Sequence, residues 1–217
     1  DNWIIKEQYH SFLPTEQAKE FFSSRGISKE KMLVSGLPIN PNFHKTTESR
    51  EKIKGNYNIT QDTFTIMILM GGNGSYSIYK YCKIIDELGL PVQIIACCGK
   101  SKSLNSKVEK LAKMVKTSIY VFGFTKELPE LMKISDILIT KPGPGSITES
   151  ISQNLPMLID ASSYIMWQER GNAEYIENNN ICMAFRSKKE LHEKLTALVI
   201  NQEKYKLIKD SMINFPK

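Results

Sequence analysis

Residues 139–149, Ile-Thr-Lys-Pro-Gly-Pro-Gly-Ser-Ile-Thr-Glu, constrain the fold more than any other stretch of this chain. They follow the apolar run Ile134-Ser-Asp-Ile-Leu-Ile-Thr140, which reads as a buried strand, and lead into an apolar-periodic helix beginning near Ser146. Prolines and glycines alternating from Pro142 to Gly145 force a tight turn, and Gly143 and Gly145 carry no Cβ to hold a ligand away from the backbone N–H groups. A helix start of this kind is a ready anion site. Glu149 then falls at the end of the first helical turn, where a carboxylate can accept from two neighbouring hydroxyls such as those of a ribose. The same residues also fit a plain glycine-rich turn whose glutamate only offsets the helix dipole.

A strand–turn–helix unit needs others like it to bury both of its faces, and the sequence supplies them. From Phe64 onward strands are predicted at 64–70, 92–98, 118–122, 136–140, 156–159 and 181–185, separated by helical patterns near 77–88, 103–115, 128–134, 171–178 and 191–199. Six strands alternating with helices predict an α/β, Rossmann-like doubly wound parallel sheet, with ligands beyond the carboxyl ends of its strands. The chain's 217 residues, 41% apolar, suffice for one such core and an extension. Residues 1–45 differ in character: a strand at Trp3-Ile-Ile5, a helix from Pro14 to Phe22 ending at Gly26, a short strand at 31–35, and a Gly/Pro linker from Gly36 to Phe43. Residues 46–200 carry the alternating pattern and 201–217 a C-terminal helix. The sequence starts at Asp1 in what reads as the middle of a fold, which predicts a piece of a longer chain.

Charge and cysteine usage exclude several functions. The net charge is +6, but no basic run is long enough for a nucleic-acid arm. The strongest bias is 100–116, where six lysines meet only Glu109; it reads as a solvated helix face first, with peripheral contact to anionic membrane lipid as the weaker expectation. Cys82, Cys97, Cys98 and Cys182 form no CxxC pair, and His10, His44 and His192 have no ligand spacing, so no metal is implied. No apolar run is long enough to span a bilayer and no secretory signal is visible, which predicts a cytoplasmic, soluble or peripheral chain.

Three further stretches could carry chemistry. Gly71-Gly72-Asn73-Gly74-Ser75 follows the first strand of the sheet, where a phosphate turn belongs. It is not GxGxxG, and the second strand runs into Cys97-Cys-Gly-Lys without an acidic residue, which argues against a dinucleotide-dependent dehydrogenase. Trp167-Gln168-Glu169-Arg170-Gly171-Asn172 gathers amide, carboxylate and guanidinium groups suited to sugar hydroxyls, or else forms an exposed cap. Phe122-Gly-Phe124-Thr125 could wall a base, or belong to the core.

Together these pieces resemble the C-terminal, nucleotide-sugar-binding half of a GT-B glycosyltransferase of family 28, in particular its monogalactosyldiacylglycerol synthases and processive diacylglycerol glucosyltransferases. The resemblance rests on Gly36-Leu-Pro-Ile-Asn-Pro-Asn-Phe43, Gly71-Gly-Asn-Gly74, Phe122-Gly-Phe124, Lys141-Pro-Gly-Pro-Gly-Ser-Ile-Thr-Glu149 and Gln168-Glu-Arg-Gly-Asn172, and spans about residues 9–199. It implies that 36–43 is an interdomain hinge and 1–45 the tail of an acceptor domain. Gly71, Gly72, Asn73 and Gly74 would lie against a diphosphate, and Phe124 and Thr125 would flank uracil. Gly143, Gly145 and Ser146 would offer backbone donors to phosphate, Glu149 would hold the ribose, and Gln168, Glu169 and Asn172 would contact the donor sugar. Pro142 and Arg170 depart from the small residues the family favours there. The implied reaction is inverting transfer of a hexose from a UDP-sugar to a lipid acceptor such as diacylglycerol, with no metal or other cofactor. The catalytic base would lie in the family's N-terminal domain, so no catalytic residue is assigned. A donor-binding subunit of a two-chain N-acetylglucosaminyltransferase and a non-enzymatic UDP-sugar-binding module are the alternatives.

Overall fold

A computed structural model describes residues 10–162 and 167–215, with the side chains of Trp167, Gln168 and Arg170 outside that description. The chain divides into two compact units, 1–40 with 217, and 41–216. In the first, β1 (Ser11–Leu13) pairs in parallel with β2 (Met32–Val34), joined through α1 (Glu16–Ser23) and a 3₁₀ turn at Lys29–Lys31. Thr15 caps α1 by accepting from the Ala18 N–H at 3.1 Å, as a threonine ahead of an acidic first turn should. The strand expected at 3–5 lies outside the described residues.

The second unit runs α2 (Asn42–Lys45), α3 (Arg50–Asn56), β3 (Phe64–Leu69), α4 (Ser77–Glu87), β4 (Val92–Cys97), α5 (Lys102–Ala112), β5 (Ser118–Phe122), α6 (Leu128–Lys133), β6 (Ile137–Thr140), α7 (Pro144–Ser152), β7 (Met157–Asp160), α8 (Trp167–Asn178), β8 (Cys182–Phe185), α9 (Lys188–Ile200) and α10 (Gln202–Asn214). Its six strands form one parallel sheet in the order β5-β4-β3-β6-β7-β8, the predicted doubly wound architecture. Alternation along each strand feeds two cores. Ile66 and Ile68 of β3 pack with Ile78, Ile85, Val108 and Leu195 of α4, α5 and α9; Met67 and Leu69 pack with Ile53, Leu131, Ile147 and Ile176 on the other face. Each fully buried isoleucine or leucine contributes about 1.5–3 kcal/mol, which is why these strands read as continuous apolar runs rather than alternating ones.

The chain winds outward from β3 to β5 with helices on one face, then returns to β6 and winds out to β8 with α7 and α8 on the opposite face. Right-handed crossovers demand that reversal of face. The crossovers therefore part between β3 and β6, leaving a crevice beyond their carboxyl ends. Arg50 fixes β6 at its other end: its guanidinium donates to the Lys133, Ile134 and Ser135 carbonyls at 2.8–3.1 Å and pairs with Asp136 at 2.8 Å. Asp136 in turn accepts from the Thr65 N–H of β3 at 2.7 Å.

The four cysteines are free and buried, and burial raises their thiols, that of Cys98 to about 11. Among the described residues no helix is long and apolar enough to cross a membrane.

Candidate functional site

Both glycine turns lie at the crevice. The first, 71–75, leaves β3 and reaches α4; the second, 141–143, leaves β6 and enters α7. Lys141 marks how close they are, because its Cε stands 3.5 Å from where a Cβ on Gly71 would sit and 3.6 Å from that of Gly143.

The glycines divide by what the fold asks of them. Gly74 (φ +76°) and Gly99 (φ +58°) are held where a Cβ would strike backbone, 2.2 Å from the Cys98 carbonyl oxygen and 2.4 Å from that of Gly72. The first turn is closed by the Gly74 N–H donating to the Gly71 carbonyl at 3.0 Å and is tied to the segment after β4 by the Lys100 N–H donating to the Gly72 carbonyl at 3.0 Å. Around Gly72 and Gly145, by contrast, a Cβ would meet nothing within 4 Å. Packing does not require glycine at those two places, and Gly145 in the first turn of a helix costs up to about 1 kcal/mol relative to alanine. Both places leave open space beside the backbone. Gly74→Ala is accordingly expected to lower stability by about 1–3 kcal/mol, and Gly72→Ala to stay within about 0.5 kcal/mol of the parent, as thermal melts of the two variants will read.

The available donors are fewer than the sequence suggests. The Gly143 N–H is spent on the Lys141 carbonyl at 2.8 Å, and Pro144 has none. Gly145 and Ser146 remain, at the start of a helix whose N-cap Gly143 offers no side chain. Across the crevice, the N–H groups of Gly72 and Asn73 have no hydrogen bond among the described residues, and both residues are exposed. Four backbone donors thus border the crevice from its two sides.

Helix α7 begins at Pro144, two residues before the expected start, so Glu149 stands in its second turn rather than at the end of the first. The proline occupies the first helical position, where its missing N–H costs nothing. Offsetting the helix dipole is therefore not what Glu149 does, since that effect fades within the first turn. Its carboxyl is half-buried without a hydrogen bond or ion pair among the described residues, and burial alone holds its pKa above the ordinary 4.5.

Helix α8 also begins earlier than expected, at Trp167, which puts Glu169 in its first turn and Asn172 one turn on, on the same face. Glu169, 7% exposed, accepts from Lys141 Nζ at 3.1 Å, and Asn172 Nδ2 donates to the Pro142 carbonyl at 3.1 Å. Both expected sugar contacts are thereby fastened to the second glycine turn; the side chain of Gln168 lies outside the described residues. At the end of β5, Phe124 is not core but 63% exposed, with Lys100 Nζ 5.2 Å from its ring centre. Thr125 commits its hydroxyl to Glu127, accepting from its N–H at 3.1 Å and donating to its side chain at 3.2 Å, so its backbone is what remains available. Strand β5 lies two strands from β3, about 10 Å away.

Sequence reasoning passed over two features. Lys141 stands in the 141–149 motif, where its sequence context suggests no role. Asp160, fully buried at the end of β7, accepts from Tyr81 Oη at 2.5 Å and from the Ser162 hydroxyl at 2.6 Å, bracing the carboxyl end of the sheet next to β6; an aspartate closing the apolar run 157–159 was the available signal. Burial, then the bond to Asp160, raises the Tyr81 phenol. At the amino ends of the strands, a groove of about 740 Å³ lined by Arg50, Lys54, Asp136 and Tyr205 is a poor anion site, because Arg50 is committed as above and Lys54 donates to the Gln61 carbonyl at 2.5 Å. No group of three or more His, Cys, Asp or Glu among the described residues is placed to hold a metal ion.

Residues 65–214 match the glycosyltransferase family 28 C-terminal domain. The chain is 27% identical over 212 residues to a processive diacylglycerol beta-glucosyltransferase of Bacillus cytotoxicus, covering 97% of this chain and 53% of that protein. It is 28% identical over 195 residues to monogalactosyldiacylglycerol synthase 2 of Arabidopsis thaliana, covering 87% and 41%. The chain thus spans about half the length of the curated relatives it matches, or less. Its fold superposes with a TM-score of 0.69 on the UDP-GlcNAc 2-epimerase of Neisseria meningitidis solved with UDP-GlcNAc, at 20% identity over 94% of this chain and 56% of that one. An epimerase and glycosyltransferases on one scaffold mean that the reaction follows from the site, not from the fold.

Proposed function

The chain belongs to the family of the glycosyltransferase family 28 C-terminal domain, and from that premise we propose that it is the donor-binding part of a UDP-sugar-dependent inverting glycosyltransferase that moves a hexose to a lipid acceptor such as diacylglycerol. The observation that carries this reading is the pair of glycine turns facing each other across the crevice, each opened by a glycine the packing does not require.

The chemistry follows from the donors. As the acceptor oxygen attacks the anomeric carbon, negative charge gathers on the departing diphosphate. The N–H groups of Gly72, Asn73, Gly145 and Ser146 meet it already oriented and without a metal. Phe124 gives the uracil a face, Glu149 takes the ribose hydroxyls, and Glu169 and Asn172 address the hexose. The base and the acceptor cleft belong to the part of the relatives that this chain does not match, residues 1–45 being the end of that domain. The lysine face of α5, with Met114 82% exposed just beyond it, suits peripheral contact with anionic lipid at a cytoplasmic membrane surface.

Titration calorimetry tests the donor half: UDP is expected to bind in the micromolar range, about −8 kcal/mol, and ADP at least tenfold more weakly. Absence of UDP binding overturns the proposal. With radiolabelled UDP-glucose or UDP-galactose and diacylglycerol vesicles, this chain alone is expected to make no glycolipid, because transfer needs an acceptor oxygen about 3–3.5 Å from the anomeric carbon with a base in reach.

A further inference from the structure

Resting on that reading, we infer that Lys141 is a positioning residue shared between the two halves of the donor: its ammonium holds Glu169 when the crevice is empty and turns to the diphosphate when nucleotide binds, releasing the carboxylate to the sugar. Neither of its neighbours accounts for its placement. Lys141 follows the last residue of β6, directly above the crevice, and its Cε approaches both Gly71 and Gly143. Its only ion pair among the described residues is with Glu169, at 3.1 Å. The two partners are unequal, the lysine side chain being 39% exposed and that of the glutamate 9%.

That inequality sets the direction of the exchange. A nearly buried carboxylate needs a hydrogen-bonded partner, whereas the ammonium has three N–H donors and uses one on Glu169. A diphosphate arriving between the turns brings more negative charge to the same cation than one carboxylate does, and it meets the donors that are left. Glu169, with its hold on Lys141 loosened, then satisfies itself on hydroxyls of the hexose, which a free nucleotide does not carry. Binding of the phosphates and reading of the sugar are thus coupled through one side chain.

Calorimetry with UDP, backed by NMR titration with uridine, separates this from a structural role. Lys141→Met is expected to weaken UDP by about 10- to 100-fold while leaving uridine unchanged, since uridine has no phosphate. Lys141→Arg should stay within a few-fold of the parent. Glu169→Gln, which removes the competitor, is expected to tighten UDP by about threefold or more and to leave uridine unchanged. Equal losses for UDP and uridine in Lys141→Met, or weaker UDP in Glu169→Gln, overturn the inference by making the pair a brace for the turn. UDP binding undisturbed by Lys141→Met overturns it while sparing the functional reading, and a parent chain that binds neither ligand overturns both.

Discussion

Glu149→Gln is expected to make the protein more stable and a poorer UDP binder at once. The carboxyl is half-buried and unpartnered among the described residues, and burial alone raises its pKa from 4.5. A raised folded-state pKa means that the native protein holds this proton more tightly than the unfolded chain does. The protonated form's contribution is then fully present below about pH 4.5 and is lost as pH rises through the raised value. At pH 7 the ionised group is a cost to the fold that glutamine avoids. The melting temperature of Glu149→Gln should therefore exceed that of the parent at pH 7, and the difference should vanish below pH 4.5. Binding moves the other way, because a carboxylate accepting from two ribose hydroxyls is worth about 1.5–3 kcal/mol, so UDP should weaken by roughly 10- to 150-fold. Melts at the two pH values and calorimetry at pH 7 check both halves. A variant that is less stable at pH 7 and binds UDP as well as the parent would assign Glu149 to the fold instead.

The second large effect is expected at Gly145. A Cβ there meets nothing within 4 Å, and the residue lies in the first turn of α7. Leucine is a better helix former than glycine by up to about 1 kcal/mol, so Gly145→Leu should melt at or above the parent's temperature. Its side chain would cover the N–H groups of Gly145 and Ser146, and UDP affinity should fall at least about a hundredfold, or 2.8 kcal/mol. Gly74→Ala is the converse case, a glycine that the backbone itself demands. A stable Gly145→Leu variant with unchanged UDP affinity would move the diphosphate away from this turn.

The six strands and the helices between them were legible because burial on both faces writes the inner strands as near-continuous apolar runs, as at 66–69 and 137–139, and amphipathic helices repeat at their own period. The two glycine turns stood out for the same local reason: proline and glycine restrict the backbone wherever they occur. Helix starts were less legible. Pro144 begins α7 and Trp167 begins α8, each ahead of the apolar periodicity that marks a helix, because the first turn of a helix need not face a core.

What the sequence alone determined, then, was the kind of sheet and the residues at its carboxyl edge. It could not say which glycines the fold needs, since Gly72 and Gly74 stand two apart in one motif and only the approach of the Cys98 carbonyl distinguishes them. Nor could it say that Phe124 is open while Phe122 packs edge-on against Tyr57. The approach of Lys141 to Gly71 depends on β3 and β6 being neighbours although three helices and two strands separate them in the chain. Such contacts come from the order of strands in the sheet, which the reversal of the crossovers decides, and no local pattern of residues encodes that order.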